Sequence, residues 1–195
     1  MLKRVFDVVA SAVGIFVLSP LLLLVSALIR LDSAGPVFFR QERIGRGFRP
    51  FRIFKFRTMV QDAPLRGGPL TCGRSDPRIT RIGRWLRRTK LDELPQLFNV
   101  VQGDMSLVGP RPEVRRYVEM FAEEYAEILT VRPGITDPAS LKFRNEAELL
   151  EGLPDAEAEY LSRLLPEKMS MARQYVRTRS LFGDLAILAR TVIGR

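Results

Sequence analysis

The sequence predicts a mostly helical α+β chain: a membrane-embedded N-terminal segment, a small α/β body, and amphipathic helices at the membrane interface. Three observations predict it. Val8 to Ile29 runs for 22 residues without a charge. Residues 51–57 (Phe-Arg-Ile-Phe-Lys-Phe-Arg) partly alternate apolar and basic, the pattern of a strand. From residue 78 onward, apolar residues recur at helical spacing. The length of 195 residues fits one folded unit.

As a helix, the apolar run reaches roughly 33 Å, enough to cross a hydrocarbon core of about 30 Å. Ser19-Pro20 lies in its middle. Proline there removes a helix hydrogen bond and bends the axis. Lys3 and Arg4 precede the run, and Arg30, Arg40, Arg43 and Arg46 follow it. The positive-inside rule therefore asks for both ends in the cytoplasm. A spanning helix fits these residues, and so does a re-entrant helix–break–helix with arms of about 16 Å. A cleaved signal peptide is a third option, with Val25-Ser26-Ala27 as a passable cleavage site. The run is longer than the usual h-region.

Next comes a basic and aromatic stretch. Arg40, Arg43, Arg46, Arg49, Arg52 and Lys55 recur every third residue, interleaved with Phe38, Phe39, Phe48, Phe51, Phe54 and Phe56. Such a mixture suits a membrane surface or nucleic acid, or simply a strand with a solvated basic face. Gly45-Arg46-Gly47 reads as a hairpin turn. Residues 61–77, with Pro64, Gly67-Gly68-Pro69 and Gly73, read as a loop. Residues 78–90 read as a basic amphipathic helix with apolar Ile79, Ile82, Trp85 and Leu86. Leu91 to Val101 is helical, interrupted early by Pro95. Gly109-Pro110-Arg111-Pro112 is extended and stiff, which suits either a phosphate clamp with a pre-positioned Arg111 guanidinium or a rigid turn before the next helix. Glu113 to Thr130 reads as one amphipathic helix, closed by Arg132-Pro133-Gly134. The acidic residues from Glu146 to Glu159 read as a solvated face, with Pro154 and Pro166 bracketing short helices. Leu181, Leu185, Leu188 and Val192 mark a final amphipathic helix.

Charge is split along the chain. Residues 1–91 carry 18 Lys/Arg against 5 Asp/Glu, whereas residues 92–195 carry 13 against 17. The first half therefore suits an anionic surface or ligand. There is no histidine, which excludes His general bases and His-ligated metals. Cys72 is the single cysteine, which excludes an internal disulfide and a cysteine metal cluster. No Walker A motif occurs, and Gly45-x-Gly47 lacks the third glycine of a dinucleotide fingerprint.

The chemistry concentrates at Asp92-Glu93. Two adjacent carboxylates beside so much positive charge suggest a site for phosphates and a divalent metal. For the pair alone, a helix N-terminal turn complementing the dipole is the simpler account.

The ordered motifs settle the reading. They are Lys3-Arg4-Val5-Phe6-Asp7, Ser19-Pro20, Phe54-Lys55-Phe56-Arg57-Thr58-Met59, Leu91-Asp92-Glu93-Leu94-Pro95-Gln96-Leu97-Phe98-Asn99, Gly103-Asp104-Met105-Ser106, Gly109-Pro110-Arg111-Pro112 and Arg132-Pro133-Gly134-Ile135-Thr136. Over about residues 1–145 the chain resembles the bacterial sugar transferases, the monotopic phosphoglycosyl transferases. It looks like their minimal catalytic domain. The resemblance implies transfer of a phosphosugar from a UDP-sugar to polyprenyl (undecaprenyl) phosphate, releasing UMP and initiating membrane glycan assembly. It implies a covalent aspartyl intermediate, with Asp92 as nucleophile, Glu93 as its partner and Mg2+ at Asp92. Arg111, Arg87, Lys55, Arg57, Arg132 and Arg144 become candidates for binding phosphate. The resemblance also turns the topology toward the hairpin. Residues 1–32 then form the re-entrant segment, broken at Ser19 and Pro20, and residues 33–195 form the catalytic domain. The expected location is the cytoplasmic face of the bacterial inner membrane, against anionic lipid.

One stretch departs from the family pattern: Asp137-Pro138-Ala139-Ser140-Leu141-Lys142-Phe143 precedes Arg144. The sugar stays open, and so do the oligomeric state and the placement of the last helix. A non-enzymatic basic membrane scaffold explains the charge and the apolar run, but not the dyad or Pro-Arg-Pro. A nucleic-acid-binding protein is disfavoured by the apolar run, so no nucleic acid is expected.

Overall fold

The computed structural model describes residues 1–63 and 76–193. Cys72 and most of the 61–77 loop lie outside the described residues. The described chain is mostly helical, with two two-stranded sheets.

Helix α1 (Leu2–Asp32) is 31 residues long, about 46 Å at 1.5 Å per residue. The two-armed break expected at Ser19-Pro20 is not seen: the backbone is helical throughout, with Pro20 inside. Pro20 cannot donate to the carbonyl of Phe16, and the Ser19 hydroxyl donates to that carbonyl instead, at 2.7 Å. One side chain thus repairs what its neighbour removes.

Of an apolar 18-residue stretch of α1, only 17% is buried. Phe16, Val17, Leu23 and Leu24 face outward, while Asp7, Ser11, Leu22, Val25 and Ile29 face the body. Both ends are fixed to that body. Near the start, Asp7 accepts from Ser106 (2.7 Å) and Lys3 pairs with Asp184 (2.5 Å). At the far end, Asp32 accepts from the backbone N–H of Ile82 at 3.0 Å.

Strands β1 (Phe38–Ile44) and β2 (Pro50–Phe56) pair antiparallel, from Phe38 opposite Phe56 to Ile44 opposite Pro50. The expected hairpin turn joins them. Gly47 there has φ +65°, a conformation glycine adopts without cost. Helix α2 (Arg81–Thr89) starts on Thr80, whose hydroxyl accepts from the N–H of Gly83. Gly83 itself touches Thr58; a Cβ there would come within 2.0 Å of the Thr58 carbonyl. The basic face of α2 is turned outward with Trp85.

A 3-10 turn (Leu91–Glu93) leads into α3 (Gln96–Gln102). Strand β3 (Ser106–Val108) pairs parallel with β4 (Gly134–Thr136). The helix expected over 113–130 divides into α4 (Arg115–Met120) and α5 (Ala122–Ile128). Phe121 takes φ −126° and ψ 43° between them and packs against the core. Tertiary packing overrides a continuous local periodicity at that point. Short helices α6 (Pro138–Lys142), α7 (Glu146–Leu149) and α8 (Ala156–Glu159) follow. A π-helical turn (Tyr160–Leu164) then runs into α9 (Leu165–Thr178), and α10 (Leu181–Ile193) ends the described chain. The acidic stretch is less solvated than expected: Glu146 pairs with Lys168 (2.7 Å) and Glu157 with Arg116 (2.7 Å).

Three apolar clusters hold the body. One joins α4, α5 and α9 through Tyr117, Tyr125, Tyr160, Leu164 and Met169. The second packs Phe6 and Ala10 of α1 onto Val100, Met105 and Val108. The third packs Leu22, Val25 and Ile29 of α1 onto Phe56 and Leu86. Apolar area removed from water stabilises each at about 25 cal/mol per Å2.

Candidate active site

In Leu91-Asp92-Glu93-Leu94 the two leucines are anchors. Both pack into the cluster that also holds the C-terminal half of α1. The carboxylates between them are thereby set beside the apolar helix α1. Lys90 makes the turn from α2 with φ 60° and ψ 14°, a left-handed backbone that costs a non-glycine residue some strain.

Glu93 is fully occupied. It accepts from Lys55 Nζ at 2.9 Å and from Arg111 Nη1 at 3.1 Å, with Arg111 Nη2 closing the bidentate pair. Burial alone would raise its pKa, but Arg111 and then Lys55 hold it well below the usual carboxylate range. Glu93 in turn raises the Arg111 pKa. Lys55 is pulled the other way: burial lowers its pKa, and Glu93 opposes the fall.

Asp92 contrasts with its neighbour. It is 9% exposed, and Oδ1 is buried without a hydrogen-bond partner. Burial first, and the Glu93 charge second, raise its pKa, against the pull of Lys55, Arg87 and Lys90. Two adjacent carboxylates are thus driven apart: one spent on structure, one left unsatisfied. That asymmetry is characteristic of chemical sites.

Arg111 is held by its backbone. The loop carrying it crosses Arg132-Pro133-Gly134 in direct main-chain contact, where Gly134 N–H donates to Pro110 O at 2.9 Å. A Cβ on Gly134 would fall 2.0 Å from the nitrogen of Gly109. Asp137 caps α6 and lies 3.4 Å from the Arg111 N–H. On the other side, Arg87 Nε donates to Thr58 Oγ1 at 2.8 Å, and Arg87 is among the charges acting on Asp92.

Asp92, Glu93, Lys55, Arg111 and Arg87 therefore meet at one place. The other three expected phosphate binders do not. Arg57 is buried, and its Nη2 is 2.7 Å from Ser33 O and 2.9 Å from Ser33 Oγ. Its Nη1 donates to Ala34 O. Arg57 caps the carbonyl end of α1, where a cation complements the helix dipole. Arg132 Nε donates to Gly103 O at 2.8 Å, and its charged neighbours are Arg4, Arg46 and Asp7. Arg144 is exposed and is brought to none of these residues. Thr58 and Asp137 were missed as supports. Their signals were present in the Arg57-Thr58-Met59 motif and in the Asp137-Pro138 helix start.

The family model described as bacterial sugar transferase matches residues 1–194. The chain belongs to the bacterial sugar transferase family. It is 42% identical over 97% of its length to the UDP-glucose:undecaprenyl-phosphate glucose-1-phosphate transferase of Caulobacter vibrioides, covering 68% of that protein. It is 38% identical over 98% of its length to the UDP-N-acetylgalactosamine-undecaprenyl-phosphate N-acetylgalactosaminephosphotransferase of Aeromonas hydrophila, but covers only 43% of it. The exopolysaccharide production protein PSS of Rhizobium leguminosarum is 39% identical, and 94% of it is covered. This sugar transferase family member thus spans less than half of one such relative and nearly all of another. The two UDP-sugar relatives carry different sugars in their names.

Proposed function

We propose that this protein transfers a phosphosugar from a UDP-sugar to undecaprenyl phosphate, giving UMP and an undecaprenyl diphosphate sugar. The observation that carries the reading is Asp92: a buried carboxylate with an unpartnered oxygen, beside a Glu93 whose oxygens are already taken. Family membership and the names of the relatives support the donor and acceptor classes.

In the first half-reaction a carboxylate oxygen of Asp92 attacks the sugar-bearing phosphorus. The phosphoanhydride bond breaks, and UMP leaves with the bonding pair. The product is an acyl phosphate. In the second, a phosphate oxygen of the polyprenyl phosphate attacks the same phosphorus and frees the Asp92 carboxylate. Arg111, Lys55 and Arg87 neutralise the phosphate charges throughout. Glu93 positions Lys55 and Arg111 rather than touching substrate.

The residues fit the Mg2+ expected from the family. Among the described residues no group of three or more acidic, His or Cys ligands forms a cage. Mg2+ needs none, since it is often held by one or two carboxylates together with substrate phosphates. Asp92, with its free oxygen, would hold it, and the ion would supply charge neutralisation at the diphosphate.

The membrane seating follows the same logic. Both ends of α1 are tied to one body, while Phe16, Val17, Leu23 and Leu24 face away from it. This supports a helix seated in the cytoplasmic leaflet with both ends held on the side of the body, and with the dyad beside it where a lipid-borne phosphate arrives.

The test is the intact mass of purified protein incubated with Mg2+ and a panel of UDP-sugars, without lipid acceptor. A gain of one phosphosugar is expected, absent in Asp92→Asn, which still binds the donor. Normal turnover by Asp92→Asn would remove Asp92 as nucleophile. Turnover without any adduct would replace the two-step route with direct transfer.

A further inference from the structure

Away from the dyad, a cavity of about 400 Å3 opens beside the start of α1. None of Asp92, Glu93, Lys55, Arg87 and Arg111 lines it. Four arginines do: Arg4, Arg46, Arg132 and Arg179. They come from α1, the β1–β2 turn, the loop before β4 and the α9–α10 junction. Among the described residues none of the four forms an ion pair, although Arg43, Arg111, Arg115, Arg116, Arg163 and Arg177 all do.

The two carboxylates at the cavity, Asp7 and Asp184, compensate its five cationic side chains only in part, Asp7 opposing the fall of the Arg132 pKa. Lys3 takes Asp184 at 2.5 Å and lies 3.7 Å from Asp7. Asp7 Oδ2 accepts from Ser106 and Asp184 Oδ1 from Tyr175, while Asp7 Oδ1 is buried without a hydrogen bond. Arg4 and Arg132 spend some donors on backbone carbonyls, which carry no net charge. The cavity keeps an excess of positive charge, and like charges gathered around one concave space repel each other unless a further anion joins them. Arg4 and Arg46 indeed depress the Arg132 pKa, after burial.

The rim of the cavity points to the source of the anion. Leu2 and Val5, next to lining residues Lys3 and Arg4, are 72% and 60% exposed. Phe182, next to lining residue Leu181, is 84% exposed. Along α10 the outward stripe continues through Leu185 and Val192. A cationic cavity bordered by exposed apolar side chains matches a phosphate carried on acyl chains.

We propose that this cavity binds a phosphate group, supplied by the headgroup of an anionic phospholipid whose chains run along the exposed faces of α1 and α10. The lipid source rests on the membrane seating proposed above; the phosphate site does not. A lipid seated here would fix the start of α1 and α10 at one depth in the interface.

The test uses full-length protein in phosphatidylcholine nanodiscs containing phosphatidylglycerol as a minor component. Retained lipid is read by native mass spectrometry, and inorganic phosphate is titrated separately. Arg46→Gln/Arg179→Gln removes two charges that make no ion pair in the fold. Arg163→Gln/Arg177→Gln is the charge-matched control away from the cavity. Selective retention of phosphatidylglycerol is expected, about tenfold or more weaker in the first double variant and unchanged in the control. Equal retention in all three proteins, or an equal loss in both double variants, overturns the site. Phosphate binding lost in Arg46→Gln/Arg179→Gln, without lipid retention, keeps the site and overturns the lipid source. Failure of the wild type to float with vesicles would instead sink the membrane seating.

Discussion

Glu93→Gln tests whether this carboxylate is the keystone of the site. The side chain joins Lys55 on β2 to Arg111 in the Pro-Arg-Pro loop, 18 residues away in sequence. Each charged hydrogen bond contributes roughly 1.5–3 kcal/mol. Partial exposure, 16% for Glu93, 20% for Lys55 and 31% for Arg111, reduces that figure. Glutamine keeps one acceptor but turns an N–H donor toward the other cation. The expected loss is about 2–3 kcal/mol, or roughly 4–12 °C in Tm for a chain of this size. Thermal unfolding followed by intrinsic fluorescence measures it. In a cycle with Arg111→Met, the double variant is expected to lose about 1–3 kcal/mol less than the two singles combined. The sign with pH is also fixed. Glu93 is held well below the usual carboxylate range, so its contribution is complete above that range and is lost as pH falls through its folded value. The Tm deficit of Glu93→Gln therefore shrinks in acid. A Tm within about 2 °C of wild type at neutral pH, with additive singles, would refute the keystone role.

Two further predictions follow from the same geometry. In the proposed mechanism Asp92 acts ionised; burial and Glu93 raise its pKa, so the acid limb of single-turnover rate should lie above the usual carboxylate range. In Glu93→Gln the loss of like charge moves that limb down, and the weaker support of Lys55 moves the alkaline limb down too; an upward shift of either would contradict the assignment. For topology, single cysteines at Leu2 and Ser33 in a Cys72→Ser background should both react with an impermeant maleimide only after the inner membrane is opened. Labelling of Leu2→Cys alone in intact spheroplasts would establish a spanning helix.

How much of this was legible in the sequence differs from residue to residue. The apolar run, the hairpin, the stiff Pro-Arg-Pro and the Asp92-Glu93 pair are local features, and local rules place them. Leu91 and Leu94 bracket the dyad in the sequence, and the same two residues anchor it in the fold. The unbroken helix at Pro20 was less legible, because the repair depends on a rotamer of Ser19.

The roles of individual arginines needed the tertiary structure. Nothing in the local sequence separates Arg57, which caps a helix, from Arg111, which clamps a carboxylate, or from Arg132, which lines another cavity. A guanidinium binds carbonyls, carboxylates and phosphates alike, so its charge and motif do not name its partner. The partner depends on which acceptor the chain path brings across, and the crossing of Gly109 and Gly134 decides that for Arg111. The two carboxylates were likewise equivalent as letters. The fold surrounded Glu93 with two cations and left an oxygen of Asp92 buried without a partner. Sequence by itself determined the long apolar segment, the family and the position of the carboxylate pair. Only packing decided which carboxylate is paired and which keeps an unpartnered oxygen, because desolvation and charge pairing depend on neighbours distant in sequence.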